Sequence, residues 1–380
     1  MGTEEQAMNK KEPFISAHTE EAVRLLETLG RIPAPSHQED KRAAFIKDWF
    51  AQAGVKNVSI DGAKNVICTF GLDRYPDIAV IQAHTDIVFP DTEELPMVRD
   101  GNILRAPGIG DDTANLVNLM IGTKYFLAHE SGLKTAVIIA ANSCEEGLGN
   151  LDGTKEIFRV YGDRIKEFIS LDGSTGWLVN SPVGSHRYAI DVKTKGGHSY
   201  GDFGNDSAIG IMAEIIHDFY RQSLPEQAYT TYNAGVIEGG STVNSIAQEC
   251  TLLYEYRSEN DECLAYMKKQ MNGILERHRK EGIQIECRTL GIRPGLGDLD
   301  PDAQARLEED VKAAMGTPMK MSAGSTDANI PLSMGIPAVT VGTIVGEGAH
   351  TREEWVDLAS IPQGLGMVLN LLDRYFDSGL

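Results

Sequence analysis

The sequence predicts an α/β protein with a mainly parallel sheet, interrupted by a smaller inserted βαββαβ domain. Three observations predict it. Short apolar runs at 78–83, 136–141, 166–171 and 338–342 alternate with helical patterns, as strand–helix–strand units require. From about residue 185 the texture changes to alternating strands in the order β-α-β-β-α-β, that of a ferredoxin-like split unit. After Pro294 the first texture resumes. The larger domain is therefore expected at 1–184 and 295–380, with the insert at 185–294.

At 380 residues the chain has room for two domains and a sizeable core. It is 42% hydrophobic and 24% charged, with no apolar run long enough to span a bilayer, so no membrane partner is expected. A net charge of −20 argues against nucleic acid, because phosphate binding needs clustered Lys and Arg. Five widely spaced cysteines, an odd number, suggest reduced thiols in a cytoplasmic protein. The first dozen residues are polar, without a signal-peptide core, and are expected to be a frayed tail.

A first helix is expected over 19–29, stopped by Gly30 and the loop Ile32-Pro33-Ala34-Pro35. Ser36 and Glu39 form a capping-box signature. The helix after it carries Ala43, Ile46, Trp49, Phe50 and Ala53 on one face, with Gly54 as its stop. Both helices read as packing elements without chemistry. The run 78–83 leads directly into His84-Thr85-Asp86. His84 can ligate a metal while Asp86 orients it; the plain alternative is a hydrogen-bonded structural histidine. Gly108-Ile109-Gly110-Asp111-Asp112 precedes a helix over 116–129. There an aspartate is either a cap or, in Asp111, a carboxylate bridging two cations.

The run 136–141 turns into Asn142-Ser143-Cys144-Glu145-Glu146-Gly147. Adjacent carboxylates at a strand end raise each other's pKa unless something positive holds them. With a metal present, one ligates and its neighbour serves as base; otherwise they are a solvated loop pair. A helix over 153–161 and a strand over 166–171 end in Asp172-Gly173-Ser174, a turn or another ligand.

In the insert, strands are expected at 187–195, 230–237, 246–257 and 283–290, with helices at 206–220 and 262–280. Gly196-Gly197-His198-Ser199 and Gly239-Gly240-Ser241-Thr242-Val243-Asn244 read as turns unless they face a cleft. A helix over 301–315 follows, then Ala323-Gly324-Ser325-Thr326-Asp327. The strand 338–342 leads to Gly346-Glu347-Gly348-Ala349-His350, and a helix over 360–375 closes the chain.

Taken together, His84, Glu145, Glu146, Asp172 and His350 all follow apolar runs of one predicted sheet, and Asp111 opens a helix on the same side. This nitrogen and oxygen set suits two Zn²⁺, with Co²⁺ or Mn²⁺ as alternatives. Two such ions about 3.5–4 Å apart can hold a hydroxide and polarise a carbonyl.

In their order, these motifs resemble the di-zinc exopeptidases and amidohydrolases that include peptidase T, glutamate carboxypeptidase and aminoacylase. The likeness runs through His-x-Asp, Gly-x-x-Asp-Asp, Glu-Glu-Gly, Leu-Asp-Gly, an insert with Gly-Gly-His-Ser, then Gly-Ser-Thr-Asp and a late His. It implies a zinc-exopeptidase catalytic domain with a lid and dimerisation insert, and hence a homodimer. It implies that Asp111 bridges the metals, that His84 and Asp172 complete one site, and that Glu146 and His350 complete the other. Asp86 would support His84, and Glu145 would be the general base for a metal-bridging hydroxide. His198 would stabilise the oxyanion, Asn244 and Arg257 would bind a substrate carboxylate, and Gly324 and Ser325 would form a substrate wall. One position departs from the family's common pattern: Thr113 stands where Lys is frequent.

The expected reaction is peptidase T-like cleavage of short peptides from the amino end. The alternatives are a dipeptidase, a carboxypeptidase or an N-acyl-amino-acid amidohydrolase using the same site. A thiol hydrolase on Cys144 is disfavoured because its sequence neighbours offer only carboxylates as base. A non-catalytic scaffold is disfavoured because every proposed ligand and the base are present.

Overall fold

A computed structural model describes residues 2–377, with side chains from Lys11 onward. The chain divides into two compact units, Met1–Ser181 with Gly297–Leu380, and Pro182–Leu296. The first begins with α1 (Gly2–Leu29), α2 (Asp40–Gln52), β1 (Val58–Ile60), β2 (Val66–Phe70), β3 (Ile78–His84), β4 (Val98–Asp100), β5 (Ile103–Arg105), α3 (Asn115–His129), β6 (Ala136–Asn142), α4 (Asp152–Tyr161), β7 (Ile165–Leu171) and β8 (Trp177–Pro182). The second holds β9 (Gly184–Lys193), β10 (Gly197–His198), α5 (Ala208–Phe219), β11 (Thr230–Gly239), β12 (Ser245–Ile246), β13 (Glu249–Ser258), α6 (Asp261–Arg277) and β14 (Gln284–Arg293). The chain then returns to the first with α7 (Pro301–Met315), β15 (Lys320–Gly324), α8 (Asn329–Ser333), β16 (Ala338–Val341), β17 (Gly346–Glu347), β18 (Trp355–Asp357) and α9 (Ile361–Asp373).

Among the described residues, the first unit is built on an eight-stranded sheet in the order β1-β2-β6-β3-β7-β16-β8-β15. Its centre is parallel, β6 with β3, β3 with β7 and β7 with β16. Antiparallel β2 and β8 flank it. Every residue of β3 and β6 is buried, which is why these strands read as continuous apolar runs. Alternate residues serve opposite faces. Ala79, Ile81 and Ala83 join the core formed with α1, α2, α3, α7 and α9, while Ile78 and Val80 join the one formed with α4 and α8. A smaller antiparallel sheet, β17-β18-β5-β4, carries the loop before α9.

The second unit is an antiparallel sheet in the order β11-β13-β9-β14, with α5 and α6 on one face. That is the ferredoxin-like arrangement. β13 alternates buried and partly exposed residues along its length, as a sheet with one covered face must.

Two local expectations are corrected. The expected frayed tail is part of α1; at Lys11, Nζ donates to Asn370 Oδ1 at 2.6 Å and pairs with Asp373, which ties that residue to α9. Ser36 and Glu39 do not form a capping box: no side chain caps α2. Both side chains are engaged elsewhere, at the carboxyl edge of the sheet.

Candidate metal centre

The parallel register brings the candidate residues to one edge. His84 pairs with Asn142, Ala83 with Leu171, and Leu171 with Val341. The segments that follow, carrying Asp86, Glu145 and Glu146, Asp172, and His350, therefore leave the sheet side by side, where open α/β sheets hold ligands. Asp111 enters from the turn Ile109–Ala114, within which its φ of −110° and ψ of 89° are non-helical. It is a residue at the mouth of the helix and not its cap.

Asp111 stands between the two imidazoles. Its Oδ1 lies 3.0 Å from His84 Nε2 and its Oδ2 lies 3.2 Å from His350 Nε2. Glu146 Oε1 is 3.3 Å from the same His350 nitrogen, and Asp172 Oδ1 is 4.0 Å from His84 Nε2. Donor atoms of His84, Glu145 and Glu146 lie within 4.8 Å of one another, as do those of Asp111, Glu146 and His350, and those of His84, Asp112 and Asp172.

A layer of polar groups fixes this set. His84 Nδ1 lies 3.1 Å from the carbonyl of Asp86 and 3.4 Å from its carboxylate. The Asp86 carboxylate accepts from the backbone N–H of Glu145 and Glu146 and from Ser36 Oγ. Asp112 Oδ2 accepts from the His84 N–H, and Asp112 Oδ1 from Asn115 Nδ2. Glu39 Oε1 accepts from the N–H groups of His37 and Cys144. Arg42, wholly buried, donates to the carbonyls of Leu29, Ile32 and Thr85 and to Thr113 Oγ1. Burial pushes its pKa down to about 10 while the charge of Asp86 opposes the shift.

The electrostatics are those of a crowded acid cluster. Burial, helped by Asp111 and Glu145, pushes the Glu146 carboxyl up to about 7 against its contact with His350. Burial and Asp111 raise Asp172 well above the usual range. Bonds to Asp111 and Glu146 raise His350 to about 10. Burial alone would lower the His84 pKa, but contacts with Asp111 and Asp86 outweigh it and raise it. Glu146 Oε1 is buried, with His350 Nε2 at 3.3 Å. Two imidazole nitrogens and several buried carboxylates within a few ångströms of one another fit divalent cations of the Zn²⁺ type.

Of the expected substrate contacts, Gly324 ends β15 and Ser325 follows it. In the second unit His198 is exposed on β10, its Nδ1 accepting from the N–H groups of Tyr200 and Gly201. The Asn244 carbonyl accepts from the Ser199 N–H, and Arg257 on β13 is held by Glu255.

Three buried residues near the site, Arg42, Asp327 and Glu354, are given no role by the sequence, and Glu39 is given a different one. Asp327 lay inside a quoted motif; it accepts from Asn142 Nδ2 and Thr154 Oγ1, and burial with the nearby Glu145 charge pushes it up to about 7. The reading of Cys144 is also corrected. His37 Nδ1 lies 3.3 Å from its Sγ, brought there from another loop, so a nitrogen base does stand beside the thiol. Burial and the Glu39 charge nevertheless push the thiol pKa up, away from the thiolate that nucleophilic chemistry needs.

A parallel α/β sheet whose carboxyl edge gathers two histidines around a shared aspartate defines the class of dinuclear metal-dependent hydrolases. The chain belongs to peptidase family M20/M25/M40, whose model matches residues 80–374. It is 27% identical over 376 residues to the Bacillus subtilis protein YqjE, covering 92% of this chain and 98% of that one. It is 24% identical to the succinyl-diaminopimelate desuccinylase of Corynebacterium glutamicum, covering 87% and 90%. Among solved structures it is similar to a tripeptidase from Staphylococcus aureus, with a TM-score of 0.72, 22% identity and coverage of 94% and 99%. Among the described residues, no helix is long and apolar enough to cross a membrane.

Proposed function

We propose that this enzyme is a di-zinc exopeptidase that removes the amino-terminal residue of short peptides, tripeptides in particular. The observation that carries the reading is the position of Asp111, with one carboxylate oxygen toward each imidazole. A carboxylate placed between two imidazoles can be shared by two cations a few ångströms apart, the spacing that two-metal hydrolysis uses. The fold's likeness to the aminopeptidase PepT of Bacillus cereus, with a TM-score of 0.70 over 94% of this chain, supports the peptide substrate.

In this reading Asp111 would be shared by two cations, His84 and Asp172 would help to hold one, and Glu146 and His350 the other. When bound, such cations polarise a carbonyl and acidify water. Glu145, beside Glu146, takes a proton from the attacking water and passes it to the leaving amine. Asp86 engages His84 through Nδ1 and so leaves Nε2 to face the cluster. His198 would stabilise the oxyanion, Asn244 and Arg257 would bind the substrate carboxylate, and Gly324 and Ser325 would line the substrate wall. The second unit would act as lid and as the surface of a homodimer, in a cytoplasmic enzyme.

A second reading is hydrolysis of N-acyl amino acids, favoured by the likeness to desuccinylases. Assaying free tripeptides, dipeptides, N-blocked peptides and N-succinyl amino acids before and after chelation separates the two. Chelator-sensitive cleavage of free tripeptides is expected; preference for the N-succinyl substrates would favour the second.

A further inference from the structure

We propose that Glu354 is the positioning residue that holds Asp111 where it can serve two cations at once. The proposal rests on the metal-centre reading above. Glu354 is 2% exposed and stands immediately before β18. Its carboxylate accepts three backbone donors of the Asp111 turn. Oε2 takes the N–H of Gly108 at 2.9 Å, and Oε1 takes those of Gly110 at 2.6 Å and Asp111 at 2.7 Å. Charge-assisted bonds of this kind are about twice as strong as neutral ones.

The turn is shaped for this carboxylate. Gly108 has a φ of +69°, and a Cβ there would come within 2.3 Å of Ile87 Cγ2. A Cβ at Gly110 would press on Glu354 Oε1 at 3.3 Å and Val356 Cγ2 at 3.2 Å. Gly110 lets backbone and carboxylate approach closely, and Gly108 supplies the left-handed turn against Ile87. Asp112, on the other side, is fastened independently through Asn115 and the His84 N–H. The Asp111 N–H donates to Glu354 Oε1, so that acid fixes the backbone from which the shared carboxylate projects.

The same segment touches Asp111 twice. His350 and Glu354 lie at the two ends of a short turn, within which the Thr351 N–H donates to the Gly348 carbonyl and the Glu354 N–H to the Thr351 carbonyl. His350 meets the Asp111 carboxylate at 3.2 Å, while Glu354 holds the Asp111 backbone. One turn thus supplies a candidate ligand and sets the aim of the shared one, as residues behind a metal site do.

The test is Zn²⁺ titration of chelator-stripped protein by calorimetry, comparing wild type, Glu354→Gln and the exposed control Glu353→Gln. Gln keeps the shape but turns an N–H₂ group toward backbone donors. Glu354→Gln is expected to weaken Zn²⁺ binding by about 10- to 100-fold, with Glu353→Gln unchanged. In metal-free wild type, hydrogen exchange of residues 108–112 should be slow, and fast in Glu354→Gln. A lower unfolding midpoint for Glu354→Gln with unchanged Zn²⁺ affinity would assign a merely structural role and overturn the proposal. Rapid exchange of 108–112 in metal-free wild type would overturn it without any variant. Wild type that binds no Zn²⁺ would overturn the metal-centre reading, and this proposal with it.

Discussion

The carboxylate of Asp86 accepts the backbone N–H of Glu145 at 2.9 Å. Its other oxygen accepts that of Glu146 at the same distance. Since Asp86 also stands 3.4 Å from His84 Nδ1, one acid ties the segment after β3 to the segment after β6. Asp86→Asn keeps the volume but presents a donor to a backbone donor. A buried N–H left without its acceptor costs about 1–3 kcal/mol, and supporting residues of this type are worth about 10- to 100-fold in metal affinity. Both losses should appear, in urea unfolding and in Zn²⁺ titration respectively. Wild-type values for the variant would contradict this role.

Chelation should invert the ordinary pH dependence of stability. Without cations, Glu146 is pushed up to about 7 and Asp172 well above its usual range, chiefly by burial. His350 is raised to about 10 by its bonds to Asp111 and Glu146. Each of these folded values exceeds the unfolded one, so the folded protein binds more protons than the unfolded protein between about pH 4.5 and 10. Their contribution is present at the acid end of that window and is lost as pH rises through it. Asp111 and Asp86 are shifted the other way, and their contribution fails only in stronger acid. Stripped protein should therefore melt at a higher temperature at pH 5.5 than at pH 8.5. Adding Zn²⁺ at pH 8.5 should restore the loss, because a cation replaces the protons. Scanning calorimetry with and without chelator checks both signs.

Much of this site was legible because a parallel sheet leaves a plain trace. Fully buried strands such as β3 and β6 read as apolar runs, and the residue after each run lies at the ligand edge. His84, Glu145, Glu146, Asp172 and His350 each follow such a run. The supporting acids left no comparable trace. Glu354 is one of two adjacent glutamates in a charged stretch, and its burial follows from the pairing of β18 with β5, some 250 positions away in the chain. Ser36 and Glu39 fit a capping box as text, yet their bonds go to Asp86 and Cys144, across sequence separations of 50 and 105. Arg42 reads as a surface cation of an amphipathic helix until the carbonyls of Leu29, Ile32 and Thr85 close around it. Local pattern identifies strands and their ends; it carries no signal for a polar bond closed by tertiary packing.

Cys144 should be dispensable for turnover despite the nearby imidazole. Its Sγ lies 3.3 Å from both His37 Nδ1 and Glu39 Oε1, and burial with the Glu39 charge keeps it a thiol. Cys144→Ala should retain kcat within a few-fold, whereas chelation should abolish activity in the variant and in wild type alike. Activity lost on Cys144→Ala with two Zn²⁺ still bound would instead make the thiol part of the chemistry.

Glu145→Gln separates holding a metal from moving a proton. Asp86 receives the Glu145 backbone N–H, not its side chain, so the substitution leaves that anchor and the proposed ligand Glu146 in place. The amide cannot accept the proton of an attacking water or return one to a leaving amine. General acid–base catalysis of this kind is worth about 10²–10⁴-fold, so kcat should fall by that amount. KM and Zn²⁺ stoichiometry should stay near wild type. Metal analysis of purified protein beside steady-state kinetics decides the matter: near-normal kcat removes Glu145 from the proton path, and lost Zn²⁺ makes it a ligand.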